Sequence, residues 1–196
     1  MVGTRRRRIK PPLEDAMSIA VPAREAAPAA SQPLLDAVEK QLGVVPNLFR
    51  LLALSPAALQ GFLGLNGALG KALDVKTRER IAIAVAQVNG CDYCLSAHTY
   101  LGLNLAKIDN AEIALNRRGA SSDPKANAAV AFARKITENH GRAAEAELQA
   151  VRAAGYTDAQ VIEIIAVVAE NVFTNMVNIV AGTDIDFPVV RTNEAA

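Results

Sequence analysis

Asn89-Gly90-Cys91-Asp92-Tyr93-Cys94-Leu95-Ser96-Ala97-His98 carries both cysteines and one of the two histidines of a 196-residue chain. Asn89-Gly90 is a helix-ending pair, so the stretch reads as the end of one helix, a reversal, and the start of the next. On the second helix Cys91 and Cys94 stand three apart and Cys94 and His98 four apart, which places two thiols and an imidazole on one face. A dithiol beside a base points to redox chemistry, and the helical hairpin that carries it points to an all-α class.

Working backward, the hairpin makes a prediction about Glu79. If the chain reverses at Gly90, the two helices run antiparallel. At about 1.5 Å per residue, Glu79 lies roughly 16 Å back along the first helix and His98 roughly 12 Å back along the second. The two are nearly level. A carboxylate among Ala82, Ile83 and Ala86 needs a partner, because an unpaired buried charge is costly, and His98 is the available one. The order Glu79, His98, Cys94 then supplies an orienter, a general base and a nucleophile. A thiol of pKa about 8.5 is about 3% thiolate at pH 7, and lowering the pKa to about 6.5 raises that to about 75%. Cys91 is nearer the helix N-terminus, where the dipole also favours a thiolate. Proton abstraction needs a base in reach, however, which favours Cys94 as the attacking sulfur and Cys91 as the thiol that resolves its sulfenic acid to a disulfide.

Farther out, the punctuation is helical throughout. Ser55-Pro56 and Asp123-Pro124 place a capping side chain before proline at the first helical position, and Gly119, Gly141 and Gly155 follow segments where helices stop. Helices are predicted at about 33–42, 47–54, 56–72, 75–89, 91–103, 110–118, 124–139, 143–154 and 158–181, the last opened by a Thr157/Gln160 capping box. The β-branched run at 79–89 could suit a buried strand, but its alanines favour a buried helix. Thr77–Gly102 and Thr157–Gly182 are both 26 residues long with similar punctuation, a candidate internal helical repeat in which Asn171, Thr174 and Asn178 would stand opposite Cys91, Cys94 and His98.

Residues 1–32 read as a disordered N-terminal tail, with Pro22 and Pro28 among many alanines, and 33–196 as one helical domain. Arg5 to Arg8 are followed by Lys10, Pro11, Pro12, Glu14 and Asp15 rather than by an apolar run, so no export signal is expected and a cytoplasmic location is; Met17 is a candidate natural start. A net charge of +1 predicts no nucleic-acid partner. No uninterrupted apolar run reaches the length of a membrane span, since Glu163 and Glu170 interrupt the Val161–Phe173 stretch. With 51% apolar residues, 4% aromatics and no tryptophan, the core should be made of closely packed helices with small contact residues, and a homo-oligomer should cover what one chain leaves exposed.

Glu79, twelve positions before Cys91, followed by C-D-Y-C-L-S-A-H, resembles the signature of the alkylhydroperoxidase AhpD-like branch of the carboxymuconolactone decarboxylase family. The similarity runs over roughly residues 34–187 and includes Val45-Pro46-Asn47 and the Asn-Met-Val-Asn segment ahead of Ala181-Gly182-Thr183. The resemblance implies an all-helical fold, trimeric or hexameric assembly, and a dithiol peroxidase cycle needing no cofactor: Cys94 meets the peroxide, Cys91 resolves, and Glu79 with His98 relays the proton. It also implies a thiol reductant, supplied in relatives by a lipoylated protein. Tyr93 stands where the best-studied members have another histidine between the cysteines, which bears on the choice of reductant.

Other readings compete on the same residues. Structural zinc needs about four ligands, and two cysteines with His98 leave the set short, so no metal is expected. His140, in Glu138-Asn139-His140-Gly141, reads as a solvated helix-terminal residue, and Tyr93 as a wall. A carboxymuconolactone decarboxylase-type lyase would need no pair of thiols, and a non-catalytic stress-response scaffold would need no activated one.

Overall fold

The computed structural model describes residues 19–194. Its helices are α1 (Gln32–Leu42), α2 (Asn47–Leu52), α3 (Pro56–Leu69), α4 (Val75–Asn89), α5 (Asp92–Asn104), α6 (Asn110–Arg117), α7 (Pro124–Glu138), α8 (Glu145–Ala153) and α9 (Asp158–Ala181), with no strand among the described residues. The all-α reading therefore holds, and the local signals behind it are at work. Ser55 accepts from the Ala58 amide, Asp123 from the Lys125 and Ala126 amides, and Thr157 and Gln160 close a reciprocal capping box.

α4 is the axis of the molecule, packed on by α5, α6, α7 and α9. Every residue from Ile81 to Ala86 is buried, as expected of a helix sheathed on all sides, and the alternating alanines let neighbouring backbones come close. One core lies between α4, α7 and α9, around Ile81, Val85, Val130, Ala133, Ile164 and Val167. A second lies between α4, α5 and α6 and includes Ile83, Leu95, Ile113 and both cysteines. Gly102 belongs to this second contact: a Cβ there would meet Ile113 Cδ1 at 3.0 Å.

Two expectations need correction. Residues 1–18 of the supposed tail lie outside the described residues, but 19–32 are part of the domain. Two 3-10 turns, Arg24–Ala26 and Ala29–Ser31, precede α1; Ala27 and Ser31 are buried, and Ser31 Oγ donates to Ala53 O at 2.7 Å. Arg24 pairs with Glu39 at 2.7 Å and with Asp36. Such a segment has no periodicity to read, because its anchors are single side chains rather than a face. The candidate repeat fails for a topological reason: Thr77–Gly102 is two helices broken at Gly90, whereas Thr157–Gly182 is one unbroken helix in which Glu170, opposite Gly90, is mid-helix.

α9 is 24 residues long and apolar enough, by length and composition, to cross a membrane, yet half of that stretch is buried within the domain. Its two halves are built oppositely. The first buries Val161, Ile164, Val167 and Val168; the second buries Glu170, Asn171, Thr174, Asn175 and Asn178 and turns Phe173, Met176, Ile179 and Val180 outward.

A buried carboxylate secures the turn before α7. Glu112 lies 2.9 Å from Arg80 Nε and accepts from Asn116 and from the Ser121 and Ser122 hydroxyls. Burial works against its charged form, but these bonds win and hold its pKa at about 2, below the usual 4.5. A depressed carboxylate stabilises the fold above its unfolded value and loses that contribution as pH falls through the folded one. Glu112→Gln should therefore cost about 2 kcal/mol or more in urea unfolding at pH 7, and the gap from wild type should close as the pH is lowered from about 4.5 towards 2. A gap that did not change with pH would mean that shape, not charge, holds this turn.

Candidate active site

The site is built where α4 turns into α5. Gly90, at φ +71, ends α4: the Cys91 amide donates to Ala86 O and the Gly90 amide to Gln87 O, closing the helix in a Schellman motif. α5 then starts with Cys91 as its N-cap, a thiol in the place usually taken by a hydroxyl or carboxylate, and Cys91 Sγ accepts from the Cys94 amide at 3.3 Å. Both cysteines are buried and unbonded to each other. Glu79 and His98 come level across the hairpin, with Oε2 2.9 Å from Nδ1.

The electrostatics separate the two thiols. The Cys91 thiol, donating to the Cys94 sulfur, is the largest influence on Cys94; burial opposes it, and the charge of His98 and the amides of Asn178 and Asn175 add to it, leaving Cys94 at about 6. The same hydrogen bond, together with burial, pushes the Cys91 thiol strongly up. At pH 7 a thiol of pKa about 6 is about 90% ionised. Burial lowers the pKa of His98, but the Glu79 carboxylate, by charge and hydrogen bond, more than offsets it, and Cys94 and Glu170 push the same way. The imidazolium is thus favoured next to a thiolate. Among the described residues no hydrogen bond joins His98 to Cys94: Glu79 holds Nδ1 towards α4, and the ring acts on the sulfur through charge. The base-to-thiol hydrogen bond expected from i, i+4 spacing is therefore not made in this arrangement, and His98 bears on Cys94 through charge.

Several residues to which the sequence assigns no role at the site take part in it. Asn178 Nδ2 donates to Cys94 Sγ at 3.3 Å, and Asn89 Nδ2 donates to Asn175 Oδ1 at 2.8 Å. Asn66 Nδ2 donates to Glu170 at 2.8 Å, a buried carboxylate whose pKa burial raises. A polar stripe on one face of an otherwise apolar α9 was the available signal, and its pairing with the repeat hid it. Asp92 of the motif is a latch: it accepts from the Thr192 amide and hydroxyl at 2.8 Å and pairs with Arg191 at 3.0 Å. Asn47 similarly holds Asp184 and Asp186. The C-terminal segment so tied down walls a cleft of about 510 Å³ whose other wall includes Gly90, Cys91 and Asn178. Tyr93 is a wall residue, buried edge-on against Phe187, its hydroxyl accepting from the Leu48 amide at 3.1 Å. His140 is exposed at the end of α7.

A buried dithiol at the head of a helix, with an acid-paired imidazole one turn on, defines a small all-helical thiol protein. Residues 56–135 match the carboxymuconolactone decarboxylase family. The fold superposes on the alkylhydroperoxidase AhpD core of a peroxidase-related protein from Ralstonia eutropha JMP134, with a TM-score of 0.75 and 28% identity over 86% of this chain and 91% of that one. The debrominase Bmp8 bound to 2,3,4-tribromopyrrole shares the fold, with a TM-score of 0.73 and 22% identity over 88% of this chain and 94% of that one. An uncharacterized protein of Haemophilus influenzae is 51% identical over 45 residues, which span 22% of this chain and 40% of that relative's length. The family match thus covers residues 56–135, which hold the whole of the α4–α5 hairpin, and the overall fold is that of the AhpD-like, peroxidase-related structure.

The Glu79–His98 pair makes a direct prediction. Glu79→Gln removes the charge that favours the imidazolium, so Cys94 loses part of its counter-charge and its pKa rises. Iodoacetamide labelling of Cys94 in a Cys91→Ser background should shift its midpoint up by about one pH unit relative to that background alone. A midpoint that stays put would make Glu79 a structural carboxylate.

Proposed function

We propose that the protein is a thiol-dependent peroxidase that reduces hydroperoxides through a Cys94/Cys91 dithiol–disulfide cycle. The observation that carries this reading is the unequal setting of two buried free thiols: Cys94 Sγ accepts from Asn178 Nδ2 at 3.3 Å, and its surroundings lower its pKa while those of Cys91 raise it. In the cycle, the Cys94 thiolate attacks the terminal oxygen of ROOH. An S–O bond forms, the O–O bond breaks, sulfur is oxidised, and the departing RO⁻ takes the proton that His98 carries. Sulfenic acid formation removes the negative sulfur that kept Cys91 protonated, so Cys91 becomes free to attack Cys94, forming the disulfide and releasing water. An external thiol reductant reopens it; a lipoylated protein is the reductant the resemblance suggests.

The test uses one equivalent of cumene hydroperoxide. Wild type should lose two thiols per chain to an intramolecular disulfide, far faster than free cysteine. Cys91→Ser should stop at a sulfenic acid that dimedone traps, and Cys94→Ser should consume no peroxide. If Cys94→Ser rather than Cys91→Ser gives the trapped sulfenic acid, the roles are reversed. Loss no faster than free cysteine would instead favour a lyase, a scaffold, or the halogen chemistry of the Bmp8 likeness.

The outward face of α9 supports assembly into a homo-oligomer, for which the resemblance suggests a trimer or hexamer. Met176 and Val180 are 62% and 66% exposed, with Ile162 and Phe173 on the same side, an apolar stripe that a monomer rarely leaves uncovered. Light scattering at micromolar concentration should report a mass several times the 20.7 kDa of one chain, and Met176→Glu should lower it. A 20.7 kDa species for wild type would overturn this reading.

A further inference from the structure

Asn175 and Asn178 lie three residues apart on the buried face of α9, both more than nine-tenths buried, and neither amide is fully used. Asn175 Oδ1 is taken by Asn89, and Asn178 Nδ2 by the Cys94 sulfur. These bonds fix the orientation of each amide and leave over one buried donor, Asn175 Nδ2, and one buried acceptor, Asn178 Oδ1, neither with a hydrogen-bond partner. Unmade bonds of this kind are costly in a core. Two within one helical turn, at the most acidic sulfur of the chain and on residues that packing alone would make apolar, mark a place prepared for something else. Asn178 also lines the cleft that runs to Cys91, which brings one member of the pair to the opening, with Asn175 one turn deeper.

The leftover groups match a hydroperoxide. Its terminal O–H is a single donor and its oxygens are acceptors, the complement of one amide oxygen and one amide N–H. Resting on the peroxidase reading, we infer that Asn175 and Asn178 form an amide clamp that holds ROOH at Cys94. Asn178 Oδ1 accepts from the peroxide hydroxyl, and Asn175 Nδ2 donates to the oxygen that leaves. As the S–O bond forms and the O–O bond breaks, two electrons pass from sulfur to the departing oxygen. Asn175 meets the charge growing there, and His98 then protonates the alkoxide. A preorganised donor aimed at developing charge is worth about 100-fold in rate. Both amides favour the resting thiolate, Asn175 less than Asn178, and the clamp gives Asn175 a further role in the peroxide step, which a pH at which Cys94 is already ionised isolates.

The experiment compares two reactions of the same sulfur at pH 8.5, where Cys94 is ionised: oxidation by cumene hydroperoxide under single-turnover conditions, and alkylation by iodoacetamide, which has no peroxide oxygen to clamp. Asn175→Ala should slow oxidation about 100-fold and leave alkylation within about threefold of wild type. Asn175→Ser, which keeps a hydroxyl donor in a smaller side chain, should recover part of the oxidation rate, and serves as the second variant should the alanine protein not fold: its oxidation should still fall below wild type with alkylation unchanged. If oxidation and alkylation fall together in either variant, Asn175 is structural and the clamp is wrong. The clamp is equally overturned if wild type oxidises fast and both variants do so as well. Wild-type oxidation no faster than free cysteine, by contrast, sinks the peroxidase reading beneath it.

Discussion

Three consecutive charges, Arg78, Glu79 and Arg80, stand at the head of a helix that is sheathed on every side from Ile81 onward, and the arrangement around them follows from the need to pair each one. Successive residues on a helix point about 100° apart, so three adjacent charges must find partners on different neighbours. Arg80 reaches Glu112 of α6 at 2.9 Å, Glu79 reaches His98 of α5 at 2.9 Å, and Arg78 bears by charge on Glu170 of α9. The two ion pairs tie α6 and α5 each to one register along α4. The site is a by-product of that constraint: the carboxylate that α4 must neutralise is the one that favours the charged form of the imidazole near Cys94.

α9 shows the opposite compromise. Its first half follows the ordinary rule of apolar inside, and its second half inverts it, burying Glu170 and three asparagines while exposing Phe173, Met176 and Val180. Buried polar groups are tolerated where they are paired, and here the pairing is partial. Local agreement between pattern and packing breaks down where a helix serves a site, and the break is the mark of that service. The outward apolar face and the inward polar one are two sides of the same turns of helix, so whatever covers the first bears on the second.

The C-terminal segment adds the last constraint. Asp92, adjacent to Cys91, spends its carboxylate on Thr192 and Arg191, and Ser96 accepts from the Val190 amide at 2.9 Å. Two of the motif's polar residues therefore hold a wall of the cleft and do not face the thiols. This explains why a helix of so little amphipathic pattern stays in place: it is clamped from both sides, by α4 through His98 and by the chain end through Asp92 and Ser96.

What the chain reveals on its own is set by interactions within a few residues. Helix limits were legible because caps such as Ser55, Asp123 and Thr157 and terminators such as Gly90 act locally, and the shared face of Cys91, Cys94 and His98 was legible because i, i+3 and i, i+4 spacing is internal to one helix. Even the level of Glu79 with His98 could be calculated, since a hairpin with a known turn has only one free length. The order of residues 19–32, the Asn178 contact to a sulfur 84 positions away, the Glu112 pairing and the latch on Asp92 were not. They depend on how far each helix is rotated about its own axis when it meets another, a quantity that the hydrophobic pattern supplies only where apolar residues face inward. On the second half of α9 they face outward, so only tertiary packing decided which side of that helix meets the thiolate.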